Sequence, residues 1–132
     1  MPTTHEIFGD VIHAYTRSQA IADGVLIDLT DTDEWRESGF RFPIACTAAV
    51  YSQCVALTPA AKRACNDIKG RTWDLLYMLN HGIRRGHAGH RIDYEIRCVT
   101  DRARPSIVAL KAICGPSDDG SPCITIMFPE ED

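Results

Sequence analysis

A chain of 132 residues with 45% apolar content has the size of one domain and enough hydrophobic material for a core, which excludes a disordered polypeptide. Its net charge of −4 argues against a general nucleic-acid binder, whose affinity comes from Lys and Arg neutralising phosphates. No apolar run approaches the roughly 20 residues of a membrane helix, and no charged, apolar leader opens the chain, so the expectation is a cytoplasmic protein with no membrane contact.

Residues 1–12 read as a loose lead-in to a single domain spanning 1–132. The spacing of Thr16 and Gln19 matches a capping box, and a short helix runs from there to Asp23, closed by Gly24. Val25 to Leu29 forms a short apolar strand. Asp31 or Thr32 caps a further turn over 34–38, which Gly39 ends. Phe42 is extended because a proline follows it. Thr47 caps a helix over 47–57, with Val50, Cys54 and Leu57 on one face. Residues 59–69 contain another short helix.

The clearest helical pattern covers 72–85. Trp73, Leu76, Leu79 and Ile83 share one side, with Asp74, Tyr77, His81 and Arg85 opposite. Three strands follow. Ile92, Tyr94, Ile96 and Cys98 alternate with Asp93, Glu95 and Arg97, as a half-buried antiparallel strand requires. Val108, Leu110, Ala112 and Cys114 face one way along a second strand. Ile107, Ala109 and Ile113 face the other way, so this strand reads as central. A turn-rich loop over 115–122 leads to a third strand, 123–128. The fold class is α+β: a C-terminal antiparallel three-stranded meander, plus the short N-terminal strand, packed against two main helices.

Cys46, Cys54, Cys65, Cys98, Cys114 and Cys123 lie in apolar segments without CxxC spacing. They read as reduced structural thiols, not as a disulfide framework or a zinc site.

Charge is segregated along the chain. Residues 1–39 carry eight acids and two bases, residues 40–91 carry two acids and eight bases, and residues 92–132 carry eight acids and four bases. The acids Asp23, Asp28, Asp31, Asp33, Glu34 and Glu37 are dense enough to form a negative docking patch. Arg84, Arg85, His87, His90 and Arg91, interleaved with glycines, form a candidate anion-binding stretch. It matches no nucleotide-binding motif. His81, His87 and His90 lack metal-ligand spacing, and arginines beside them would repel a cation. Asp118 and Asp119 lack the spacing of a calcium loop. No metal, cofactor or catalytic set is expected. Asp74, Tyr77, His81 and Arg85 remain an acid–base alternative to an ordinary solvated face.

Several runs resemble a family of small uncharacterised proteins carried by phages, plasmids and other bacterial mobile elements. They are YTRSQAIADGVLID at 15–28, GFRFPIA at 39–45, WDLL at 73–76 and LKAICGPSDDG at 110–120. The resemblance implies a setting, action on host machinery in the bacterial cytoplasm, and in size and charge the chain looks like an anti-CRISPR protein. The functional expectation is a non-enzymatic protein that inhibits a host defence complex, a CRISPR–Cas effector foremost, through its acidic surface. The alternatives are a small enzyme or anionic-ligand-binding protein using His81 and residues 84–91, and a nucleic-acid-binding accessory protein using the basic middle segment.

Overall fold

The computed structural model describes residues 16–85, 89–100 and 104–131. The lead-in at 1–12 therefore lies outside the described residues. Helix α1 (Arg17–Ala22) opens with the expected capping box: Gln19 N–H donates to Thr16 Oγ1, and Thr16 N–H donates to Gln19 Oε1. Its C-terminal carbonyls are satisfied by the amides of Gly24 and Val25, with Gly24 at φ 77°. Strand β1 (Leu26–Asp28) follows, then α2 (Asp33–Glu37), which Thr32 caps.

Strand β2 (Ile44–Thr47) occupies residues that the sequence pattern passes over as an approach to a helix. The run is short, and its extended form is held from both sides: it pairs antiparallel with β1 and parallel with β5. Thr47 does cap a helix, but the expected helix over 47–57 is divided. A single turn, α3 (Ala48–Val50), runs into a π-helical turn at Tyr51–Val55, closed by a 2.7 Å bond from Ala56 N–H to Tyr51 O. Thr58 caps α4 (Pro59–Arg63), with proline in the first turn where its missing N–H costs nothing. The long helix α5 (Ile68–Arg84) starts earlier than the apolar period indicates, because Asp67 Oδ1 caps it by accepting from Gly70 N–H at 2.7 Å.

The meander forms as expected from β3 (Arg91–Cys98), β4 (Ser106–Pro116) and β5 (Pro122–Met127). The five strands stand in the order β1-β2-β5-β4-β3. Leu75, Leu76 and Leu79 of α5 and Val50, Cys54 and Val55 before it cover one face of the sheet. There they meet Ile44, Cys46, Tyr94, Ile96, Leu110, Ala112, Ile124 and Ile126. Eleven side chains in this layer are under 2% exposed, and at about 25 cal/mol per Å² of apolar surface they supply most of the folding drive.

Strand β4 has neighbours on both sides, but its second face is not uniformly buried: Ile107 is 60% exposed and Ala109 is exposed. Further along that face Lys111 is buried. Its Nζ donates to the carbonyls of Pro129 and Glu131, where the chain folds back after β5. Glu131 Oε1 accepts from Thr47 Oγ1 and Phe128 N–H, both at 2.8 Å. Cys65 corrects the expectation that every thiol is buried. It is exposed and sits at φ 62°, the position after α4 where glycine is usual.

Arg71, on the inward side of α5, is only 4% exposed. Its Nε donates to Val55 O at 3.1 Å and its Nη2 to Gln53 O at 2.7 Å. Its Nη1 donates to Val99 O at 2.8 Å and Asn66 Oδ1 at 3.0 Å. One guanidinium thus satisfies the open end of the π-helical turn, the chain beyond β3 and the linker into α5. Its acceptors are three backbone carbonyls and the Asn66 side-chain amide.

Replacing Arg71 by Met leaves these acceptors buried and unsatisfied. It is expected to cost about 3 kcal/mol or more, read as a lower urea midpoint at unchanged slope. Arg71→Lys, which keeps the charge and loses the fork, falls between the two. Cys65→Gly relieves a left-handed backbone and is expected to raise stability by about 0.5–1 kcal/mol in the same assay.

Candidate functional site

The acidic residues fall into one coherent group and one outlier. Asp23 caps the C-terminus of α1, before β1 begins, whereas Asp28 ends that strand and the remaining four follow it. Asp28 Oδ1 accepts from Thr30 N–H at 3.0 Å, tying the turn that leads to α2. Asp31, at φ 67°, lies 4.0 Å from Arg36. Asp33 lies 3.1 Å from Arg36 and 3.8 Å from Lys69 of α5. Asp33 and Glu34 stand in the first turn of α2, and Glu37 in its last. Asp28, Asp31, Asp33 and Glu37 are exposed and Glu34 is half-buried. Five carboxylates therefore share ten residues of surface with two cations. Exposed pairs of this kind are worth about 1 kcal/mol or less, so they leave the carboxylates open to exchange. The segment is anchored by Asn80 Nδ2 donating to Ser38 O at 2.8 Å and by Trp35 Nε1 donating to Phe42 O at 2.9 Å.

Three cations of the basic middle third are engaged within the fold. Arg71 is buried, Lys69 faces Asp33, and Arg91 Nη2 lies 2.9 Å from Asp93. Arg84 and Arg85 are exposed at the exit of α5, and His90 is exposed before β3. His87 lies outside the described residues. The stretch 84–91 thus places two arginines on the helix end and engages Arg91 with its own strand neighbour.

The predicted line Asp74, Tyr77, His81 and Arg85 does lie on the outer side of α5, all four exposed. Tyr77 stacks on Trp73 with ring centroids 5.6 Å apart, which moves Trp73 to the edge of the buried side. His81 borders a cleft of about 440 Å³ between α5 and the free edge of β3, where His81 and Arg85 face Asp93 and Glu95. It also borders a shallower hollow of about 180 Å³ beside Glu37 and Arg84. Both walls of the larger cleft carry charge of opposite sign, so it does not favour an anion. A second cleft of about 430 Å³ continues along the same edge past Asp74, Glu95 and Arg97. Lost hydration raises the Asp74 carboxyl from its ordinary value, against the pull of Arg71. His81 makes no hydrogen bond among the described residues, so no group fixes its tautomer as acid–base work requires. Among the described residues no group of three or more His, Cys, Asp or Glu could hold a metal ion. None of the described helices is long and apolar enough to cross a membrane.

The Asp118–Asp119 loop is structural. Asp118 accepts from Arg17 N–H at 2.8 Å, Ser18 N–H at 3.0 Å and Ser18 Oγ at 2.8 Å. Arg17 in turn donates to Thr125 Oγ1 and Ile124 O on β5. The amide of Arg17, followed by the Ser18 bonds, holds the Asp118 carboxyl below its ordinary value. Sequence reading finds neither this dock nor the meeting of Cys54 with Cys98. The residues involved lie about a hundred and 44 positions apart respectively, and no local spacing marks them.

Asp118→Ala is expected to speed amide exchange at Arg17 and Ser18 while leaving β3 and β4 unchanged. Because the folded-state value is lowered, the dock is complete above the ordinary carboxylate pKa of about 3.9. It weakens as pH falls below that value. A pH series of exchange rates at those two amides checks both statements.

A family model described as a family of unknown function, DUF6573, matches residues 5–132. No curated protein and no solved structure matches the chain.

Proposed function

The chain belongs to this family of unknown function, which supplies no activity to inherit, and we propose that it acts by binding, presenting the acidic segment 28–37 to a basic surface of a partner protein. The observation that carries this reading is the clustering of Asp28, Asp31, Asp33, Glu34 and Glu37 on one anchored turn and short helix, with Arg36 and Lys69 as the cations paired to them among the described residues. A rigidly mounted charged surface gains association rate and partner choice from long-range attraction. The clefts beside α5 support chemistry less well, since His81 has no orienting partner among the described residues. The basic third supports nucleic-acid binding less well, since Arg71 is internal and Lys69 and Arg91 face carboxylates.

The resemblance to proteins of phages and plasmids narrows the partner to a host defence complex in the bacterial cytoplasm. A CRISPR–Cas effector, whose nucleic-acid channel is basic, is the natural target. In this reading α2 covers a surface that would otherwise bind phosphates, and the protein is an inhibitor without a cofactor.

The test is inhibition of target-DNA cleavage by a purified CRISPR–Cas effector from a bacterium that carries the gene. The unaltered protein is expected to inhibit, with binding that weakens as salt rises. Reversing Asp31, Asp33, Glu34 and Glu37 to Lys is expected to weaken binding at least about tenfold, the worth of about 1.4 kcal/mol, and to flatten the salt dependence. Unchanged inhibition by that variant would remove the acidic segment from the interface.

A further inference from the structure

We propose that Cys54 and Cys98 form an oxidisable dithiol site, which hydrogen peroxide converts to an intramolecular disulfide. The site is independent of the binding surface described above. Cys54 stands in the π-helical turn and Cys98 ends β3, and their Sγ atoms lie 3.8 Å apart with a thiol hydrogen between them. Three hydrogen bonds from one residue frame the site. Arg71 donates to Gln53 O and Val55 O, the carbonyls that flank Cys54, and to Val99 O, the carbonyl after Cys98. The same guanidinium therefore holds both sulfur-bearing segments in place and puts a positive charge beside both sulfurs. A cleft of about 230 Å³ reaches the pair, lined by Arg71, Asp74, Asn66 and Pro105 as well as the two cysteines. Its volume exceeds that of a peroxide molecule.

The two thiols divide the work. The hydrogen bond between the two sulfurs lowers the Cys98 thiol, burial opposes this, and Arg71 assists. The same bond, followed by burial, raises the Cys54 thiol. Cys98, the more exposed of the two at 8% against 1%, is thus the sulfur that ionises and meets the oxidant. The other thiols lack this arrangement. Burial pushes Cys46 up to about 12 and raises Cys123. Cys65 is exposed and makes no thiol contact among the described residues.

The Cys98 thiolate attacks one peroxide oxygen, the O–O bond breaks, and the departing hydroxide takes a proton to leave as water. Cys98 is then a sulfenic acid. Cys54 gives up its proton and attacks Cys98 Sγ. The S–O bond breaks, a second water leaves, and the disulfide forms. Two thiols have lost two electrons and two protons, and one peroxide has become two waters.

The test uses the full chain in a Cys65→Gly background, treated with graded hydrogen peroxide and mapped by tandem mass spectrometry that separates Cys54 from Cys46. The expected product lacks two hydrogens, carries a Cys54–Cys98 link while Cys46 and Cys123 remain reduced, and returns to the dithiol with dithiothreitol. Oxidation of Cys98 to sulfinic acid with Cys54 still free would overturn the proposal. So would peroxide consumption at Cys114 with both members of the pair untouched. In Cys54→Ser the sulfenic acid at Cys98 has no resolving partner, and dimedone is expected to trap it. A folded variant giving no adduct would also overturn the proposal, and the mapping of the Cys54-containing chain decides the matter if that variant does not fold.

Discussion

The guanidinium of Arg71 ties three separate segments of the chain to the start of one helix. Its partners are at Gln53, Val55, Asn66 and Val99. Removing a charge from water costs several kcal/mol, recovered only when its donors find well-placed acceptors. Here the acceptors include the carbonyls that the π-helical turn would otherwise leave open, so the buried charge and the irregular turn each resolve the other's deficit. With the start of α5 pinned in this way, Leu75, Leu76 and Leu79 fall over the sheet at Tyr94, Ile96 and Leu110. The outer line from Asp74 to Arg85 then has one orientation. Lys69 and Asn80, on the same helix, give α2 its footing.

From that footing follows the distribution of charge on the surface, which differs from its distribution along the chain. The basic middle third loses one arginine to the interior and two further cations to neighbouring carboxylates. The acidic first third is engaged differently. Arg36 and Lys69 meet Asp31 and Asp33 in exposed pairs, while Glu34 and Glu37 stay on the same small helix. The free edge of the sheet tells a related story. Asp93, Glu95 and Arg97 alternate along β3 and discourage the addition of another strand there. The acidic turn is the surface on which the proposed contact rests.

Much of the architecture was legible because it rests on local rules. Thr16, Thr32 and Thr47 each cap the helix they precede. The alternation in β3 marks its buried residues one by one, and the meander follows from strands separated by short turns. What escaped notice depends on distant partners. Ile44 to Thr47 is a strand because β1 and β5 flank it. The helix expected over 47–57 becomes a π-helical turn because Arg71 accepts the irregularity. Arg71 itself looks like one base among eight, and the two thiols it brackets look like separate hydrophobes. The acidic residues were visible as a cluster, but only the fold separates Asp23 from the other five.

The central claim is that residues 28–37 form the contact surface. The most direct measurement is hydrogen–deuterium exchange of the protein alone and bound to a purified CRISPR–Cas effector. The account predicts slowed exchange over residues 28–38, with the α5 exit and β3 unchanged. Protection centred on residues 78–95, with none at α2, would contradict it and move the function to the clefts beside His81.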